Sequence, residues 1–167
     1  MPRVTHLAPG HEVPDFTLKN TSGGPVTLSE YMKGGPVLLA FYKHECPTCQ
    51  LGIPFVEQVY RRSRGGPIRF LGVMEDEKAD AVAFAKKHAI MMPFVLEDEP
   101  YATSEAFGLT NVPTLLLLDA NRKVQWEQVG FSKKGYQELA DKVAALCGKD
   151  PEPLFNSMMS VPDLKPG

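Results

Sequence analysis

The stretch "AFYKHECPTCQLGIPF", residues 40–55, places Cys46 and Cys49 three residues apart. It begins inside "PVLLAFY" (36–42), a continuous apolar run bounded by Gly35-Pro36, the pattern of a strand covered on both faces. Pro47 suits a first helical turn, where a missing N–H costs nothing. A helix is therefore predicted from Pro47 to about Arg64, with Leu51, Phe55 and Val59 as its apolar stripe. Pro54 falls inside that helix, where a proline frees a carbonyl and bends the axis. Cys46 then sits where a buried strand turns into a helix. Unpaired N–H groups and the positive end of the helix dipole meet its sulfur there, and both favour thiolate, the nucleophilic form. Cys49, one turn further in, is expected to be more buried. Such a pair can close a small disulfide.

Working outward, "PDFTL" (14–18) and "PVTL" (25–28) flank the turn-rich "KNTSGG" and read as a hairpin, after an irregular arm over residues 1–14. "SEYMKGG" (29–35) gives a short helical turn. After Gly65-Gly66-Pro67, "IRFLGVM" (68–74) is a second buried strand. Residues 77–88 form a helix with Val82, Ala85 and Ala89 inward, "FVLED" (94–98) a short strand and "TSEAFGL" (103–109) a short helix. "TLLLLD" (114–119) and "KVQWEQV" (123–129) make an antiparallel hairpin, and Ser132 caps a last helix. That helix's apolar face is Tyr136, Leu139, Ala140, Val143, Leu146 and Cys147, and Gly148 closes it. The order implies an α/β fold, one mixed sheet with helices on both faces. Residues 1–148 form the domain. Residues 149–167 form a Pro-rich tail that either drapes over it through Leu154, Phe155 and two methionines or stays mobile.

The chain has 167 residues, 43% hydrophobic and 23% charged, which suits one domain with a proper core. A net charge of -2 gives no electrostatic footprint for nucleic acid. No apolar run approaches the ~20 residues of a membrane span. "MPRVTHLAPGHEVPDF" lacks the apolar stretch of a secretory leader, so the expectation is cytoplasmic as given, and periplasmic or membrane-anchored if a leader was removed. Three cysteines are too few for a disulfide scaffold, and a Cys-x-x-Cys beside a strand–helix unit reads first as redox chemistry.

"LLAFYKHECPTCQLGIPF" resembles the active-site segment of the thioredoxin superfamily, an apolar strand followed by Cys-x-x-Cys and a helix with an internal proline. "NVPTLLLLD" (111–119) looks like that superfamily's second signature, and the resemblance makes Pro113 a cis-proline facing Cys46. "VGFSKKGYQEL" (129–139) is similar to its last strand-to-helix junction, with Gly130 lining the partner groove. "PGHEVPDFTLKN" and the extra segment at 77–109 resemble the redoxin or TlpA-like branch, with its N-terminal hairpin and central βα insertion. The resemblance implies a protein thiol–disulfide oxidoreductase with Cys46 and Cys49 catalytic, and a groove made of Pro47, Thr48, Val112, Pro113 and Gly130. It implies no cofactor. Its partners are disulfide- or dithiol-containing proteins, with an upstream electron donor or acceptor of the thioredoxin type.

Three positions depart from the family pattern. Glu45 stands where thioredoxins usually have Trp, Ala40 where they bury an Asp, and Gly52 where TlpA-like proteins often place a Glu. The two familiar carboxylate helpers of the resolving thiol are therefore missing. Lys43 and His44 lower the pKa of a neighbouring thiol if they point at it, and Glu45 raises it.

Other readings of the pair are weaker. A zinc half-site needs a second Cys/His pair at short spacing, and His6, His11, His44 and His88 form none. "ECPTC" also looks like the Cys-Pro-Thr run of the peroxiredoxins. Those enzymes need Thr or Ser three residues before the cysteine, where this chain has Lys43. A redox-inactive binding module would fit the missing carboxylates but not two intact cysteines. Cys147 reads as a packing residue, and so do Met91, Met92 and Trp126; His88 reads as a surface residue near a helix end.

Overall fold

The computed structural model describes residues 8–167; His6 and the first half of the N-terminal arm lie outside them. Nine strands and five helices follow one another: β1 (Thr17–Lys19), β2 (Pro25–Thr27), α1 (Leu28–Met32), β3 (Val37–Tyr42), α2 (Pro47–Arg62), β4 (Arg69–Met74), α3 (Lys78–Lys87), β5 (Phe94–Leu96), α4 (Ala102–Ala106), β6 (Thr114–Leu118), β7 (Val124–Val129), β8 (Phe131–Ser132), α5 (Lys133–Leu146) and β9 (Leu164–Lys165). Seven strands form one sheet in the order β2-β1-β5-β4-β3-β6-β7. β3, β4 and β5 run parallel, whereas β6 pairs antiparallel with both β3 and β7. This is the mixed α/β sheet of a thioredoxin-like fold, with the N-terminal hairpin and the central βα insertion in place.

Strand β3 is the centre, and all six of its residues are buried. Its side chains alternate between two apolar layers, as the pleat requires. Leu38, Ala40 and Tyr42 join residues of α2, α3 and α5. Val37, Leu39 and Phe41 join Val13, Phe16, Leu28 and Phe107 on the opposite face. A continuous apolar run is what a strand covered on both sides needs.

Several sequence expectations shift by a residue or a face. The arm before β1 is not irregular where it is described. Glu12 bridges Lys123, Val13 N–H donates to Arg122 O (2.9 Å), and Val13 is buried. Helix α2 runs through Pro54 and buries Cys49, Gly52, Ile53, Val56 and Val59, while Leu51 and Phe55 are only partly buried. Phe55 faces Phe155 of the tail, ring centroids 4.6 Å apart, so its cover comes from residues that carry no periodic signal. In α3 the inward residues are Ala81 and Phe84, and Val82 is 44% exposed, because the helix presents the face one position earlier. Leu146, the last residue of α5, and Met91, in the loop between α3 and β5, are exposed as well. The His88 ring packs at a tilt against Phe84 (centroids 4.5 Å apart), and burial, helped by Lys87, pushes its pKa down, the reverse of a cation held by the helix end. Ser132 caps α5 through Gly135 N–H (3.0 Å).

The tail lies on the domain. Leu154 is 1% exposed, and Phe155 packs between Phe55 and Phe131. Met158, expected among the draping residues, is 91% exposed; the anchoring falls to Leu154 and Phe155 instead. Beyond them β9 pairs antiparallel with β8.

Candidate active site

Sheet register builds the site. Phe41 on β3 pairs with Thr114 on β6, so the chain before β6 arrives where the chain leaves β3 towards Cys46. Thr114 in turn pairs with Val129 on β7, and Gly130 N–H donates to Pro113 O (2.9 Å). Three segments far apart in sequence thus meet at one end of the sheet. The Val112–Pro113 peptide is cis, as is Glu99–Pro100, which sequence reading did not foresee.

Cys46 is the N-cap of α2. Its sulfur accepts the Cys49 N–H at 3.1 Å, the place an N-cap acceptor takes to satisfy one of the helix's unpaired donors. The Cys46 S–H is also directed at Val112 O, 3.4 Å away. Cys46 is partly exposed, Cys49 is fully buried, and both are free thiols. Burial pushes the Cys49 thiol up, and the hydrogen-bonded Cys46 sulfur pushes it further. One sulfur therefore meets solvent at the start of α2, accepting a backbone N–H, and a second is kept neutral beneath it.

The flanking residues divide. Lys43 lines the same cavity as Cys46, its Nζ 5.7 Å from the ring centre of Tyr101. His44 is turned to Asp76. Its N–H donates to Asp76 Oδ2 (2.9 Å) and its ring pairs with Asp76 Oδ1, which raises its pKa, with Asp80 and Glu45 adding to the effect. Glu45 is exposed and lies 3.6 Å from the His44 ring. Among the expected groove residues, Thr48 Oγ donates to Pro166 O (2.7 Å), and Gly130 lies against Lys165 and Pro166.

Sequence reading missed three features. Glu75 follows β4 and lines the cavity beside Cys46, its carboxyl raised chiefly by burial. Nothing in its local sequence marks it, because parallel pairing with β3 is what carries the end of β4 to this place. The Tyr136 hydroxyl fills the space at Gly52: a Cβ there would lie 2.6 Å from it. The glycine that replaces a familiar glutamate is thus required by a tyrosine from α5. The hydroxyls of Tyr136 and Tyr42 are buried without a hydrogen-bond partner among the described residues. Among the described residues no group of three or more His, Cys, Asp or Glu side chains is arranged to hold a metal ion, and no helix is long and apolar enough to cross a membrane.

Comparison with known proteins agrees with this arrangement. The thiol-disulfide oxidoreductase ResA of Geobacillus thermodenitrificans (strain NG80-2) is 29% identical over 122 residues, 72% of this chain and 69% of that protein. The chloroplastic peroxiredoxin Q of Triticum aestivum is 33% identical over 105 residues, 62% of this chain and 47% of its own. Among solved structures, a Chlorobium tepidum protein provisionally assigned as thiol:disulfide interchange protein DsbE superposes with a TM-score of 0.71 at 28% identity, covering 85% of this chain and 99% of that one. The profile of the AhpC/TSA family matches residues 9–127, from the N-terminal arm through the cysteine pair and Pro113 into β7. With the fold, the register and that match together, the chain is a redoxin of the thioredoxin superfamily and belongs to the AhpC/TSA family.

Proposed function

We propose that this protein is a thiol–disulfide oxidoreductase acting on protein partners, with Cys46 as attacking and Cys49 as resolving sulfur. One observation carries the reading: a partly exposed Cys46 sulfur accepts an α2 N–H, with the buried Cys49 thiol one helical turn away. In the reducing direction the Cys46 thiolate attacks one sulfur of a partner disulfide, and the other leaves as thiolate and takes up a proton. Cys49 then gives up its proton and attacks Cys46. The partner's second thiolate departs, and the Cys46–Cys49 disulfide remains. The pair loses two electrons, the Cys49 proton and the proton that Cys46 shed on ionising; the partner gains two electrons, and its two thiolates take up two protons from solvent. Oxidation of a partner dithiol runs by the same steps reversed.

The groove of this reading is Pro47, Thr48, Val112, Pro113 and Gly130, with the partner's chain paired to Val112; proline at 113 offers no competing N–H. Residues 1–148 are the working domain and 149–167 an appended tail. A donor or acceptor of the thioredoxin type resets the pair. The direction of electron flow, in cytoplasm or periplasm, follows from the pair's potential against that of the compartment. The test is a pair of substitutions. Cys46→Ser abolishes reduction of a model protein disulfide, and Cys49→Ser accumulates a mixed disulfide through Cys46. Full activity in both variants would sink the mechanism.

The peroxiredoxin Q relative favours a second reading, thiol peroxidase activity at Cys46. Lys43 stands where a hydroxyl would orient the peroxide. Hydrogen peroxide consumption, measured beside protein disulfide reduction, separates the two.

A further inference from the structure

The residues assigned to the partner groove already touch a chain, the protein's own. Strand β9 pairs antiparallel with β8, Leu164 opposite Ser132 and Lys165 opposite Phe131, and Lys133 N–H donates to Asp163 O (2.9 Å). The chain then crosses Gly130, where a Cβ would lie 3.0 Å from Lys165 O and 3.3 Å from Pro166 Cα, an approach that only glycine leaves open. Thr48 Oγ donates to Pro166 O (2.7 Å) and Asn111 Nδ2 to Gly167 O (2.9 Å). Gly167 sits so close to Val112 that a Cβ there would meet Val112 O at 2.2 Å. That carbonyl is the one that faces the Cys46 sulfur.

We infer that residues 163–167 are a built-in stand-in for the partner's chain, and that a protein substrate reaches Cys46 by replacing them as a strand on β8. The inference rests on the thiol–disulfide reading above. It adds the docking surface, the β8 edge leading over Gly130 to Val112. It also adds the partner's form: an extended segment antiparallel to β8 whose reacting cysteine falls at or beside the place of Gly167. Main-chain pairing of this kind accepts many sequences, because the edge strand reads backbone rather than side chains.

The segment is built to lift. The tail's firm anchors lie earlier, at buried Leu154, whose N–H donates to Gln137 Oε1 (2.7 Å), and at Phe155 in its aromatic nest. Arg62 holds Pro153 O (3.0 Å). Beyond these the pairing with β8 is two residues long, and Leu164 is 72% exposed. Residues 163–167 can therefore leave without opening the core. With the tail in place, a cavity of about 880 Å3, bordered by Lys43, Glu75, Tyr101 and Asn111 and edged by Val112 and Gly167, still opens onto Cys46, so a small disulfide reaches the sulfur without displacing the β9 pairing.

Two variants test this. One lacks residues 163–167. The other is Gly167→Val, whose side chain cannot coexist with Val112 O at the observed spacing and keeps the tail's length. kcat/KM is measured for a protein disulfide such as insulin and for a small aromatic disulfide. A segment seated about nine-tenths of the time lowers apparent affinity for its competitor about tenfold. Both variants should therefore reduce the protein disulfide about tenfold faster, with the small disulfide changed less than about twofold. Unchanged protein-disulfide rates in both variants, with thermal unfolding intact, would overturn the inference. So would equal acceleration of both substrates, which would mean the tail only shields the sulfur. A parent protein that reduces neither substrate would instead refute the underlying redox reading.

Discussion

Alkali should weaken the reduced fold through Cys49, and by a calculable amount. Cys49 has no exposed surface, and burial, with the hydrogen-bonded Cys46 sulfur, raises its thiol above the ordinary 9.0. With a raised folded value, the folded protein keeps a proton that the unfolded chain has released. Stability is therefore complete below pH 9 and falls as the pH rises towards the folded value. While the folded thiol stays protonated, ionisation favours the unfolded chain by RT ln(1 + 10^(pH − 9)), about 0.4 kcal/mol at about pH 9 and about 1.4 kcal/mol one unit higher. The loss over that unit is about 1 kcal/mol. Buried Tyr42 and Tyr136 are pushed up in the same direction and contribute their own alkaline loss, so the reference is Cys49→Ala, which keeps both. Urea unfolding under a reductant, followed by the fluorescence of the single tryptophan, Trp126, gives both stabilities. The advantage of the parent over the variant should shrink by about 1 kcal/mol between about pH 9 and about pH 10. A gap that stays constant would show that Cys49 ionises as easily folded as unfolded, and the neutral resolving thiol of the mechanism would go with it.

Three further outcomes follow from the same contacts. Tyr136→Phe deletes a buried hydroxyl that has no partner, so stability should hold or rise by about 1 kcal/mol in urea unfolding; a slower release of the mixed disulfide would show in stopped-flow that the hydroxyl serves Cys49. Glu57→Ala removes a buried carboxylate that accepts Met91 N–H (2.7 Å), Met92 N–H (2.8 Å) and Arg61 Nε–H (2.7 Å); with two backbone N–H groups left without their acceptor it should cost about 2–4 kcal/mol, a loss below about 1 kcal/mol contradicting it. The His44–Asp76 pair raises the histidine, so its contribution is full below 6.5 and fades as pH rises through the raised value. The stability gap between the parent and His44→Gln should accordingly be wider at about pH 5.5 than at about pH 9, and a gap independent of pH would refute the pairing.

How much of the site was legible depended on whether the signal was local. The cysteine pair, the strand before it and the helix after it are contiguous, and their chemistry follows from a sulfur at a helix start. The apolar runs of β3, β4 and β6 likewise announce buried strands. Helix faces were harder. The stripe of α2 and the inward side of α3 turn on what packs against them, and in α2 the partner of Phe55 is Phe155, some hundred residues away with no periodicity to announce it.

The sequence by itself determined the dithiol, its place at a strand–helix junction, and the βα order that makes a mixed sheet, because each is set by neighbours along the chain. Only the tertiary structure decided that Tyr136 takes the room left by Gly52, that Glu75 reaches the cavity of Cys46, and that residues 163–167 lie on Gly130 and Val112. Those contacts join α2 to α5, β4 to β3, and the tail to β8. No local rule fixes them, since they depend on strand register and on which apolar surfaces remain to be covered once the sheet has closed.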